Sequence, residues 1–145
     1  MFKHILLPTD GSAMSESASN KCIALAKEAG ARISAIYVAP EFHVFAYAPE
    51  MVTDTPEQYR QYNEACAKKF LGYIERAAAE AGVACTTMSV ANDHPYEAIV
   101  TAAREGGCDL ICMASHGRKG LQGVLLGSET QKVLTHTDVP VLVYR

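Results

Sequence analysis

Five short apolar runs alternate with stretches of helical periodicity, and this alternation restricts the fold more than any other feature of the chain. The runs are Ile5-Leu6-Leu7 within Lys3 to Leu7, Ile33 to Val38, a weaker one from Val83 to Val90, Leu110 to Met113, and Val139 to Tyr144. Strands too uniformly apolar to keep one face wet predict a parallel sheet covered by helices on both sides, an α/β fold of one domain over residues 1–145. Right-handed crossovers then bring the carboxyl end of every strand to one edge of the sheet, where ligands of open α/β sheets bind.

The helices between the runs carry their own stop and start signals. Met14, Ala18, Cys22, Leu25 and Ala29 recur at spacings of four and three, and Gly30 follows as a C-cap. Thr55-Pro56-Glu57-Gln58 supplies an N-cap, a first-turn proline and a capping-box Gln; Tyr59, Tyr62, Cys66, Phe70, Tyr73 and Ala77 then form a stripe expected to face the sheet, up to Gly82. Pro95 suits the first turn of a helix with Ala98, Ile99, Ala102 and Ala103 on its apolar face, ended by Gly106-Gly107. The last helix is expected to open at Ser128 with Gln131 three residues on, a capping-box spacing, and to carry Val133 and Leu134 inward.

The stretch from Leu110 to Ser128, LICMASHGRKGLQGVLLGS, carries the chemistry. An apolar strand gives way to Gly117, Gly120, Gly123 and Gly127, with His116, Arg118 and Lys119 present and no carboxylate anywhere in it. A pliable cationic loop delivered to a helix start reads as a phosphate cradle, because exposed amides and the helix dipole favour anions there. It is neither a P-loop, since Lys119 precedes the glycine it would have to follow, nor a G-x-G-x-x-G fingerprint. The other end rich in turn and cap residues is Pro8 to Ser12, and if strands one and four are neighbours both ends line one crevice.

At 145 residues, 49% hydrophobic and 20% charged, the chain can bury a core without staples. A net charge of −3 argues against a general nucleic-acid or acidic-membrane binder, so neither nucleic acid nor membrane is expected as a partner. Cys22, Cys66, Cys85, Cys108 and Cys112 are odd in number and contain no C-x-x-C, and the N-terminus shows no signal-peptide pattern, which fits a reducing cytoplasm and no metal site on the cysteines. His4, His43, His94 and His136 are scattered without partner spacing and receive no role. Residues 40–55 form a long aromatic connection; Phe42, Phe45 and Tyr47 could close over a base, sit in a subunit contact or fold back on the domain.

Taken together these segments resemble the universal stress protein family over essentially the whole chain. ILLPTDGS resembles its first strand and turn, DLICMASHGRKG its fourth strand and loop, and VPVLVYR its last strand. The nucleotide-binding pattern of that family runs Gly, two residues, Gly, nine residues, Gly, then Ser or Thr; Gly117, Arg118 to Leu126 and Gly127-Ser128 match it, with Ala114 in place of the first Gly. A second departure is Asp93, where the family often has Gly and where Asp tolerates left-handed backbone.

The resemblance implies a five-stranded sheet ordered 3-2-1-4-5 and an ATP site, to which a magnesium ion could come with the nucleotide. Pro8, Thr9 and Asp10 would lie beside the adenosine, with Val38 against the adenine. Met113, Ala114, Ser115, His116 and Gly117 would line the ribose and phosphates; Arg118, Lys119, Gly127, Ser128, Glu129 and Thr130 would complete the triphosphate pocket. Asp10 binds ribose hydroxyls or caps the first helix, and His116 touches phosphate or is merely solvated. No catalytic set is visible, which favours a cytoplasmic regulatory binding module over a slow ATPase or a nucleotidyl-transferring enzyme. Pro140 and the apolar Val141, Leu142 and Val143 mark a sheet edge and predict a homodimer through the last strand.

Overall fold

The computed structural model describes residues 1–43, 55–117 and 125–145. Five parallel strands, β1 (His4–Thr9), β2 (Arg32–Ala39), β3 (Cys85–Ala91), β4 (Leu110–Ala114) and β5 (Val141–Tyr144), lie in the order β3-β2-β1-β4-β5. The helices are α1 (Ala13–Ala29), α2 (Pro56–Ala81), α3 (Pro95–Glu105) and α4 (Ser128–His136). Among the described residues no helix is long and apolar enough to cross a membrane.

The period of two along each strand splits the core. Ile5, Leu7, Ile33, Ala35 and Tyr37 pack with Cys22, Ile23 and Ala26 of α1 and Leu71, Ile74 and Ala78 of α2 on one face. Leu6, Ile36, Ile111 and Met113 pack with Ile99, Ala103 and Val133 of α3 and α4 on the other. Several caps form as expected: Gly30 and Gly82 end α1 and α2 in left-handed backbone, and Thr55 and Gln58 exchange both capping-box bonds, at 3.1 and 2.9 Å.

The buried face of α3 holds Ala98, Ile99 and Ala103 as expected, and α1 buries the expected Ala18 and Cys22, but parts of the α1 and α2 faces are turned. On α1, Met14 is exposed while Ser15 and Ser19 are buried, because Ser15 Oγ donates to Thr9 Oγ1 at 2.9 Å and Ser19 Oγ to the Ser15 carbonyl at 2.8 Å. Hydroxyls satisfied this way are small enough to sit against the sheet. On α2 the buried stripe is Ala67, Leu71, Ile74 and Ala78, one residue beyond the predicted aromatics, which flank it; Tyr62 is 62% exposed. Leu134, expected inside, is 41% exposed. Nor is every strand uniformly covered: β3, at an edge, exposes Thr86, Thr87, Ser89 and Ala91. β1 runs two residues further than predicted, through Pro8 to Thr9, and β3 and β5 start two residues later.

His4 is not without a role. It is buried at the amino edge of the sheet, where Arg32 donates to its Nδ1 at 3.2 Å, its Nε2 lies 2.7 Å from Ser34 Oγ, and that hydroxyl lies 3.1 Å from Thr86 Oγ1. A guanidinium can only donate, so Nδ1 accepts and Nε2 carries the hydrogen: the ring is neutral. Burial, and then the Arg32 charge, hold its pKa below the ordinary 6.5. The unfolded chain therefore takes up more protons as pH falls below 6.5, and stability contributed by this group is lost from there downward. We expect the urea midpoint to drop between about pH 7 and pH 5, and His4→Gln to lower it at neutral pH while flattening that drop. Asp109 secures the same edge, accepting from the backbone N–H of Lys3 at 2.8 Å and of His4 at 3.0 Å.

Candidate nucleotide site

β1 and β4 are neighbours, with Ile5 opposite Leu110 and Leu6 opposite Ile111, so the turns that leave them open onto one crevice. Past β1, Thr9 Oγ1 accepts from the Gly11 N–H at 3.2 Å and from Ser15 Oγ. Asp10 does not cap the helix itself: its Oδ1 accepts from the Ser12 N–H at 2.9 Å, and Ser12 Oγ takes the Ser15 N–H at 3.1 Å as the N-cap of α1. The other Asp10 oxygen lies against Gly117 so closely that a Cβ there would overlap it. The first and fourth strand ends thus meet through a carboxylate and a bare backbone.

The loop after β4 returns to the strand it left. Gly127 donates its N–H to the Ser115 carbonyl at 2.6 Å, and Thr130 Oγ1 reaches the Ala114 and Ser115 carbonyls at 3.1 and 3.3 Å. This closure shifts the helix start. Gly127, in extended backbone at φ −68° and ψ 157°, is the N-cap of α4, and Ser128 is its exposed first residue. The expected Ser128–Gln131 capping box does not form; Gln131 Nε2 donates to the Leu126 carbonyl at 3.0 Å instead. Among the described residues no side chain caps α4, so its opening amides keep the donor capacity that makes a helix start an anion site.

Beside that helix start, His116 Nδ1 pairs with Ser115 Oγ at 2.9 Å, while its Nε2 is buried with no hydrogen-bond partner among the described residues. A buried orphan nitrogen is costly. An uncapped helix start, a bare glycine packed on a carbonyl and an unsatisfied ring nitrogen together fit a polyanion carried on a small molecule.

The remaining predicted site residues divide by what already occupies them. Pro8 and Val38 are half-buried at the strand ends and Met113 and Ser115 are buried. The Thr9 and Thr130 hydroxyls are engaged inside the protein. The Glu129 carboxylate accepts from the Tyr96 N–H at 3.0 Å and from Lys132 Nζ at 3.4 Å, tying α4 to the start of α3. Arg118 and Lys119, like Gly120, Gly123, Phe45 and Tyr47, lie outside the described residues. Of the aromatic connection, Phe42 packs on Tyr59 with ring centres 5.4 Å apart.

Spacing gave no sign of two further clusters. His43, without an assigned role, pairs with Asp93, whose carboxyl is held below its ordinary range by the His43 ring and the Glu41 N–H. Asp93 is not in left-handed backbone; the described residues hold no non-glycine residue there. Tyr96, with His136 at 4.8 Å between ring centres and the Lys132 ammonium over its ring, seals α3 to α4. All five cysteines are free, and in the core the Cys22 thiol is pushed up by its hydrogen bond with Cys112 and by burial, which leaves it inert.

Comparison with known proteins places this arrangement among relatives. The profile of the Universal stress protein family matches residues 1–145. The universal stress protein YxiE of Bacillus subtilis is 35% identical over 149 residues, covering 100% of both chains. The solved structure of MJ0577 from Methanocaldococcus jannaschii superposes with a TM-score of 0.82 at 29% identity, covering 99% of this chain and 95% of that one. Two structures share the fold at lower identity: one from Archaeoglobus fulgidus in complex with dAMP (TM-score 0.70, 14%, covering 100% and 98%) and one in complex with cAMP (0.68, 21%, 99% and 97%).

Proposed function

The chain belongs to the universal stress protein family, and on that premise we propose that it is an ATP-binding regulatory module of the cytoplasm that works as a homodimer. The observation that carries the reading is the uncapped start of α4 clasped to Ser115 beside the orphan His116 Nε2. Backbone N–H groups of the first α4 turn, the Ser128 hydroxyl and His116 Nε2 would hold phosphate oxygens, with Arg118 and Lys119 adding charge. Asp10 would take the ribose and Val38 the adenine face. Charge-assisted hydrogen bonds contribute about 1.5 to 3 kcal/mol each, so a few support micromolar binding after the cost of association. The cAMP and dAMP held by two proteins of this fold support an adenosine ligand. The groups described donate and neutralise without positioning a water, which favours retention of the nucleotide over turnover.

Calorimetric titration with ATP, ADP, AMP and cAMP, with and without magnesium, tests this. ATP is expected to bind most tightly, each lost phosphate weakening it, and Ala114→Gly should bind equally or better; equal affinity for AMP and ATP would remove the polyphosphate assignment. The dimer rests on β5, which among the described residues pairs only with β4 and so lies at an edge of the sheet. A monomer in sedimentation of the same preparation would remove that half of the proposal.

A further inference from the structure

Past β2 the chain runs on beside the β3–α3 turn, and its alternate residues are held from one side. The Ala39 carbonyl accepts from the Asn92 N–H at 2.8 Å, the Pro40 carbonyl from Tyr59 Oη at 2.8 Å, and the Phe42 ring rests on Tyr59. Glu41 and His43, two apart and both exposed, instead meet Asp93 in the turn. Asp93 Oδ1 accepts from the Glu41 N–H at 3.0 Å, and Oδ2 lies 2.5 Å from His43 Nε2. One ligand atom from each of the three side chains lies within 4.8 Å of the others. The turn does not need an Asp for its backbone, because Asp93 is not left-handed.

We propose that Glu41, His43 and Asp93 bind a divalent transition-metal ion of the zinc class. The donor set decides the class: one imidazole nitrogen and two carboxylate oxygens suit zinc, cobalt or nickel, whereas magnesium keeps to near-octahedral oxygen and calcium takes six to eight oxygens. Zinc bonds of about 2.0 to 2.2 Å set tetrahedral ligand atoms roughly 3.4 Å apart. His43 Nε2 and Asp93 Oδ2 must therefore separate by roughly an ångström, which rotation of exposed side chains supplies while the backbone stays fixed by Tyr59 and Asn92. The Glu41 N–H on Oδ1 orients the carboxylate from outside the coordination shell, and solvent water fills the remaining position. The ion would fasten the start of the β2–α2 connection to the β3–α3 turn, on the sheet edge that carries the crevice.

The test is cobalt(II) titration of the full chain without nucleotide, followed by visible absorption, then displacement by zinc. One equivalent should bind with ligand-field bands and no thiolate charge-transfer band. His43→Ala and Asp93→Asn should each weaken binding at least tenfold, while Cys85→Ser and His136→Ala leave it unchanged. Absence of binding at millimolar cobalt, thiolate bands, or unaltered affinity in folded His43→Ala would overturn the assignment. ATP affinity measured on His43→Ala keeps the two readings apart, since this site uses none of the proposed nucleotide contacts.

Discussion

Gly127→Val is expected to lower ATP affinity at least a hundredfold, about 2.7 kcal/mol, while the sheet and its helices still form. A Cβ on Gly127 would stand 3.2 Å from the Ser115 carbonyl oxygen and 3.4 Å from His116 Cα, already tight, and valine adds two methyls. The backbone must retreat, opening the 2.6 Å bond from the Gly127 N–H to Ser115 and drawing the first amides of α4 off their line. Misplacement of positioning groups by about an ångström is enough for losses of this size. The Thr130 hydroxyl, on the next turn, still ties α4 to β4, so the stability cost should stay within about 1 to 3 kcal/mol. Calorimetry on a variant with native circular dichroism is the measurement; wild-type affinity there would sink the anion site. Gly127→Ala should show the same defect in weaker form.

The second large effect falls on stability. Gly11 sits at φ +77°, and a Cβ there would collide with the Phe70 ring, which packs edge-on against Tyr37 at 5.6 Å between ring centres. Left-handed backbone costs a non-glycine residue about 1 to 2 kcal/mol, and overpacking adds about 1 to 3. Gly11→Ala should therefore lose on the order of 3 kcal/mol, a large part of the stability of a chain this size. Urea denaturation reads it, and a double-mutant cycle separates the causes: with Phe70→Ala in place the steric share disappears and the backbone share remains. A loss of only about 1 to 2 kcal/mol in Gly11→Ala would mean that the ring yields freely and the backbone share alone remains, and an unchanged urea midpoint would overturn both shares.

Strand–helix alternation and the sheet edge that carries the ligand were legible because they rest on local signals: apolar runs interrupted by Pro8, Gly30, Gly82 and Gly106-Gly107 define the alternation, and right-handed crossovers bring the strand ends to one edge. The order of the strands, and with it the pairing of β1 with β4, came from the family resemblance, because no local signal says which strands are neighbours. Signals failed wherever a contact across the fold decided the outcome. Ser15 and Ser19 read as polar, yet a partner six residues back and a carbonyl one turn back let them be buried beside the expected Ala18 and Cys22, which swings the buried face of α1 away from Met14. The Ser128 box has ideal spacing, yet Gly127 is drawn to Ser115 first, and a tertiary hydrogen bond outranked a local one. Glu41, His43 and Asp93 carry no common spacing because the pairing spans 50 residues and exists only once β2 and β3 lie side by side. His4, Ser34 and Thr86 are linked in the same way across three strands.

Because the Ser115 carbonyl receives both the Gly127 amide and the Thr130 hydroxyl, a single oxygen just past β4 sets where the last helix begins. Ser115 is itself anchored through its N–H on the Tyr144 carbonyl, at 2.7 Å, at the end of β5. The aim of the helix start is thereby inherited from the two strands beneath it, and a change in β5 that moved Tyr144 would be felt at the crevice without touching it.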